Sequence, residues 1–241
     1  MRFGVRQRAA AAALLLAGCA GLVTLPAPEP GPLPTVARLY AQLPPREAAV
    51  NFVTAVERVE PVAEQFCRAR TQGLPCDFRI VIDDRPGQPP NAFQTLDRAG
   101  RPVIGLTLPL IAGARNVDEI AFVIGHEASH HILGHIPQQR DSAAAGAILA
   151  GVLATLNGAD DVAVRAAQDV GATIGARRYS QAFELQADAL GTEIAYRAGF
   201  DPVRGAAFFD RLTDPGNRFL GTHPPNAQRK DTVRRVAAGL N

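Results

Sequence analysis

Gly125-His126-Glu127-Ala128-Ser129-His130 decides the reading of this chain. The stretch contains H-E-x-x-H and follows the apolar run Ile120-Ala121-Phe122-Val123-Ile124, which suits a buried helix. Positions i and i+4 of a helix lie on one face, one turn apart, so both imidazoles can reach one divalent ion. Glu127, one step from His126, can stand beside that ion without ligating it, as a general base must.

A catalytic zinc needs a third protein ligand. Glu184, in Phe183-Glu184-Leu185-Gln186-Ala187-Asp188, is the candidate. Asp188 lies one helical turn further on the same face, where a carboxylate can hydrogen-bond the second nitrogen of a metal-bound histidine. Alone, the pair would read as a solvent-facing acidic face; after H-E-x-x-H it reads as part of a site. His131 and His135 sit about 140° and 180° around an ideal helix from His126. They should not ligate the same zinc unless the helix ends early, and neither is given a catalytic role.

The motifs run in a recognisable order. Asn91-Ala92-Phe93 comes first, then Asn116-Val117-Asp118-Glu119-Ile120-Ala121 and the His126–His130 motif. Glu184–Asp188, Ala198-Gly199-Phe200-Asp201-Pro202, Thr222-His223-Pro224-Pro225 and Arg229 follow. This set resembles the M48 zinc metallopeptidases over roughly residues 75–240. The resemblance implies one zinc per chain held by His126, His130 and Glu184, with Glu127 as general base. It also implies a role for Asp188 in orienting a liganding histidine. His223 would approach the metal site as a substrate or transition-state contact, or as a reversible extra ligand. The resemblance is to the soluble, lipid-anchored branch, because no long hydrophobic span follows the N-terminal segment.

The N-terminus points to the same branch. Arg2, Arg6 and Arg8 precede a short apolar run, and Leu16-Ala17-Gly18-Cys19 resembles a bacterial lipobox. The run is too short to span a bilayer. Residues 1–18 are expected to be a signal peptide. Cys19 would carry the lipid, with Ala20 in place of a retention signal, so the chain would be anchored to the outer membrane facing the periplasm. Losing residues 1–18 removes three arginines and takes the formal charge from +2 to −1. Nothing in that balance favours nucleic acid. Residues 19–45 are expected to be a lipidated cysteine and a proline-rich tether, whose stretch 20–35, with prolines at 26, 28, 30, 32 and 34, reaches roughly 50 Å when extended. In an oxidising compartment Cys67 and Cys76 are expected to pair.

The domain proper, 46–241, reads as α+β and mostly helical, zincin-like, with a small sheet before the metal-binding helix. A helix from Arg46 to about Thr71 contains Pro61, which is expected to kink or divide it. Short β-like runs follow at 78–82, 92–95 and 103–106, separated by turns. Asn116 suits a helix cap and Gly134 a helix end. Residues 142–176 read as two apolar helices around 157–160, expected as a buried hairpin; a flap over the cleft or a surface dipping into lipid are the alternatives. Helices are expected at 179–199, 202–213 and 225–239. The strand near 101–106 is taken as the exposed edge on which an extended substrate pairs. The function implied is cleavage of unfolded or misassembled envelope proteins. The alternative is a zinc-stabilised binding or chaperone module with little turnover.

Overall fold

The computed structural model describes residues 43–178, 180–212 and 224–240. Residues 1–18, Cys19, most of the tether and His223 therefore lie outside the described residues. Helix α1 (Pro45–Arg70) starts on a proline, which suits a first helical turn. Its buried residues Ala55, Val59, Ala63 and Cys67 recur every four residues and form one stripe. The helix runs through Pro61 without a break, contrary to the expected division. Pro61 is exposed, and so is Glu57, whose carbonyl loses its intrahelical donor and can take one from water.

Strands β1 (Arg79–Asp83), β2 (Ala92–Leu96) and β3 (Pro102–Thr107) form one sheet in the order β1-β3-β2. β1 pairs parallel with β3, and β2 pairs antiparallel with it. This corrects the expected edge: β3 is central and almost wholly buried, and β2 is an edge strand. Phe93 of β2 is in register with Gly105 of β3 and covers it with its ring; a Cβ there would lie 2.3 Å from the ring. Short helix α2 (Leu108–Gly113) follows, capped by Thr107.

Helix α3 (Val117–Ile132) is the centre of the fold, buried over most of its length. The Asn116 side chain caps it by accepting from the Glu119 amide at 3.0 Å. Its two first-turn acids do more than favour the helix N-terminus. Glu119 is 1% exposed and is forked by Arg211. Asp118 accepts from the Asp201 amide at 3.0 Å and pairs with Arg204. They anchor the segment of α7 (Pro202–Gly205) and the 3-10 turn Ala206–Arg211, which becomes one wall of the cleft described below.

Gly134 adopts a left-handed conformation, φ 67°, and ends α3. Helix α4 (His135–Leu156) begins at once, seven residues before the expected start, and α5 (Asp161–Arg178) returns beside it. Gly146 and Gly171 touch backbone to backbone, so the two helices pack closely on each other. The hairpin is not buried as expected. Ile148, Leu149, Leu153, Leu156 and Val162 are all more than half exposed, because the pair meets the rest of the domain only near its base. Helix α6 (Ser180–Arg197) crosses α3, and α8 (Asn226–Ala238) packs on α6. The Cys67 and Cys76 sulfurs are bonded, with Cα atoms 5.6 Å apart. His131 donates from Nε2 to the Pro75 carbonyl at 2.7 Å and meets Phe78 edge-on, tying that crosslinked loop to α3. Among the described residues, no helix is long and apolar enough to cross a membrane.

Candidate metal centre

Two helices supply the centre. α3 carries His126 and His130 on one face, and α6 carries Glu184 and Asp188 one turn apart. Glycines set the approach of the helices: a Cβ on Gly125 would lie 2.9 Å from the Gly191 carbonyl. Such contact lets short carboxylates of α6 reach the imidazoles of α3.

One ligand atom from each of His126, His130 and Glu184 falls within 4.8 Å of the others, as a metal site requires. The two Nε2 atoms are 3.0 Å apart. Glu184 places Oε2 3.6 Å from His126 Nε2 and Oε1 3.4 Å from His130 Nε2. Bonds of about 2.0–2.1 Å at a tetrahedral angle put ligand atoms about 3.3 Å apart. The observed spacings bracket that value, and a two-nitrogen, one-oxygen donor set suits zinc.

Each of the two histidines has its far nitrogen occupied. His126 Nδ1 donates to Asp188 Oδ1 at 2.9 Å. An ionised carboxylate only accepts, so Nδ1 carries the hydrogen and Nε2 is free for a metal. Asp188 is completely buried and is itself held by Arg229 through two bonds of 2.7 Å, from Nε to Oδ2 and from Nη2 to Oδ1. The same guanidinium lies 3.3 Å from Glu184 and over the Phe209 ring. Arg229 thus neutralises two carboxylates that would otherwise repel each other. The motif reading named Arg229 without giving it this part; that an arginine of α8 packs here could not be read from spacing.

Burial disfavours the charged form of His126. The Asp188 hydrogen bond and the charges of Glu184 and Asp188 outweigh it, and hold its pKa above the ordinary histidine value. Burial likewise works against the Arg229 charge, but Asp188 and Glu184 keep it protonated. His131 goes the other way: burial lowers its pKa, consistent with its role in packing.

The centre opens on a cleft of about 400 Å³. Glu127, half-buried, lines it beside the two histidines. Asn91 and Ala92 at the start of edge strand β2 form one side, and Phe208 and Phe209 the other. The structure therefore brings His126, Glu127, His130, Glu184 and Asp188 together around one cleft.

A two-histidine, one-carboxylate group opening on a cleft is what a metallopeptidase needs. The family model for peptidase family M48 matches residues 55–237, and the chain belongs to that family of zinc metallopeptidases. It is also 32% identical over 129 residues to a Vibrio cholerae protein named as a beta-barrel assembly-enhancing protease. That match covers 51% of this chain and 26% of the relative, so the chain spans about a quarter of the relative's length.

Proposed function

We infer that this chain is a zinc-dependent endopeptidase that cleaves unfolded or misassembled proteins of the bacterial cell envelope. The observation that carries the reading is the convergence of His126, His130 and Glu184 in a cleft that Glu127 also lines. Zinc held by these three side chains supplies a Lewis acid for water and for a peptide carbonyl. Glu127 takes the proton from the attacking water and delivers it to the leaving amine. Asp188 fixes the His126 ring, and Arg229, paired with Asp188 and close to Glu184, holds both carboxylates in place. His223, outside the described residues, is assigned by the family resemblance to contact substrate or the transition state, or to act as a reversible extra ligand.

Edge strand β2 supports the choice of substrate. The Thr107 amide donates to the Asn91 carbonyl, so the alternation of an antiparallel pair leaves Ala92 and Gln94 facing away from β3. An extended chain added there would run along the cleft wall, and only a flexible substrate can add as a strand. The Vibrio cholerae relative, named for beta-barrel assembly, favours an envelope setting. Lipidation at Cys19, a proline-rich tether and a periplasmic, outer-membrane location complete the proposal.

The test compares purified 20–241 with Glu127→Gln for zinc content and for cleavage of an unfolded protein. Both should bind one zinc, and only the unsubstituted chain should cleave. Zinc-dependent retention of the unfolded protein without cleavage by either would instead identify a binding or chaperone module.

A further inference from the structure

His130 is held by a partner, His135, whose position fits the family pattern but to which the motif reading gives no role. Its Nδ1 lies 2.9 Å from Nδ1 of His135, and His135 Nε2 lies 3.0 Å from Oε1 of Gln186. On a continuous helix α3, His135 would point about 180° away from His126. Gly134, with φ 67°, breaks the helix and turns the chain back, so that the first residue of α4 faces His130. The His135 ring is 3% exposed and stacks on Phe183, with centroids 4.4 Å apart and planes 12° from parallel.

We propose that His135 and Gln186 are positioning residues that fix the tautomer and orientation of His130 for metal binding. The polarity follows link by link. Gln186 Oε1 only accepts, so His135 Nε2 carries the hydrogen. The His135 Nδ1 lone pair then faces His130 and accepts from its Nδ1–H. This leaves the His130 Nε2 lone pair directed at the convergence point shared with His126 and Glu184. The two liganding histidines are thereby served differently: His126 by a buried, arginine-paired carboxylate, and His130 by a neutral imidazole and an amide. The neutral arm adds no further negative charge beside Glu184 and Asp188.

This inference rests on the zinc reading above, and zinc affinity tests the two separately. Affinity is measured on residues 20–241 by competition with a chromophoric chelator, with the thermal unfolding of each chelator-treated variant as a check on folding. His135→Phe keeps the ring and its stack on Phe183 but removes the acceptor, and should weaken zinc binding about 10–100-fold. His135→Asn restores an acceptor near the position of Nδ1 and should recover most of the loss. Gln186→Leu should weaken binding, and Gln186→Glu, which still only accepts, should not. A folded His135→Phe that binds zinc as tightly as the unsubstituted chain overturns the proposal. So does a His135→Asn no better than His135→Phe, which would reduce the ring to packing. Should His135→Phe not fold, the Gln186 pair decides: equal affinity of the leucine and glutamate variants overturns the assignment. An unsubstituted chain that binds no zinc overturns the zinc reading itself.

Discussion

Gly191 of α6 meets His126 of α3 so closely that a Cβ on the glycine would lie 2.8 Å from the His126 backbone nitrogen. Gly125 faces the same crossing from the other side. The distance between the helices, and hence whether Glu184 and Asp188 reach the histidines, is set by the absence of two side chains. Gly191→Ala should force α3 and α6 apart, at a cost of about 1–3 kcal/mol. The measurement is urea unfolding together with zinc content. A variant with full stability and full zinc would show that the crossing tolerates a methyl group.

Arg229 makes a two-pronged pair with Asp188, and both groups are buried. Arg229→Met would remove the guanidinium that Asp188 and Glu184 share. Breaking a buried pair in this way costs about 3–5 kcal/mol. Arg229→Lys should restore little, because an ammonium cannot make the two-pronged contact. Denaturant midpoints of the metal-free proteins check both.

The raised pKa of His126 gives the metal-free centre a definite pH dependence. A histidine pKa above its unfolded value of 6.5 stabilises the folded state fully below pH 6.5, and that contribution is lost as pH rises through the folded pKa. Zinc competes with the same proton, so its affinity should fall as pH drops through that raised pKa, and binding should release a proton. Zinc titrations between about pH 6 and 9 would register this. An affinity independent of pH over that span would contradict it.

The Cys67–Cys76 bond closes a short loop, with a sequence separation of 9. Loop entropy assigns it about 2–3 kcal/mol. Replacing both cysteines by serine should lower the denaturant midpoint accordingly. Zinc content should not change, because the loop touches α3 through His131 and not through a ligand.

Ala92 lies on edge strand β2 at the cleft, with its amide facing away from β3. Ala92→Pro removes that donor without removing a bond to β3. Cleavage of an unfolded protein should fall several-fold while zinc content and thermal stability stay near those of the unsubstituted chain. Unchanged cleavage would place the substrate elsewhere.

Much of the centre was legible in the chain because it depends on local geometry. The i, i+4 spacing of His126 and His130, and of Glu184 and Asp188, follows from helical pitch alone, and so does the Asn116 cap. His135 stays outside the ligand group, but its contact with His130 is not readable from an ideal helix; Gly134 signals the break and not the direction of the chain after it. Gln186 carried no signal, being one amide on a helix surface. The exposed edge was put on the wrong strand because strand order is not a property of any strand. β3 reads as a short apolar run whether it is flanked on one side or on both.

By its own pattern the sequence determined the helical character of the domain, the small sheet ahead of the helix that carries His126 and His130, and which side chains share a face within each of the two site helices. Each follows from interactions within a few residues, where the backbone period dictates which side chains share a face. Only the tertiary structure decided that α6 crosses α3 at paired glycines and that Arg229 closes over Asp188. It also decided that β2 is open, and that the hairpin of α4 and α5 stands out from the domain with its apolar faces exposed. Those features depend on close packing between segments far apart in the chain, where one methyl group more or less sets the distance, and no local period encodes it.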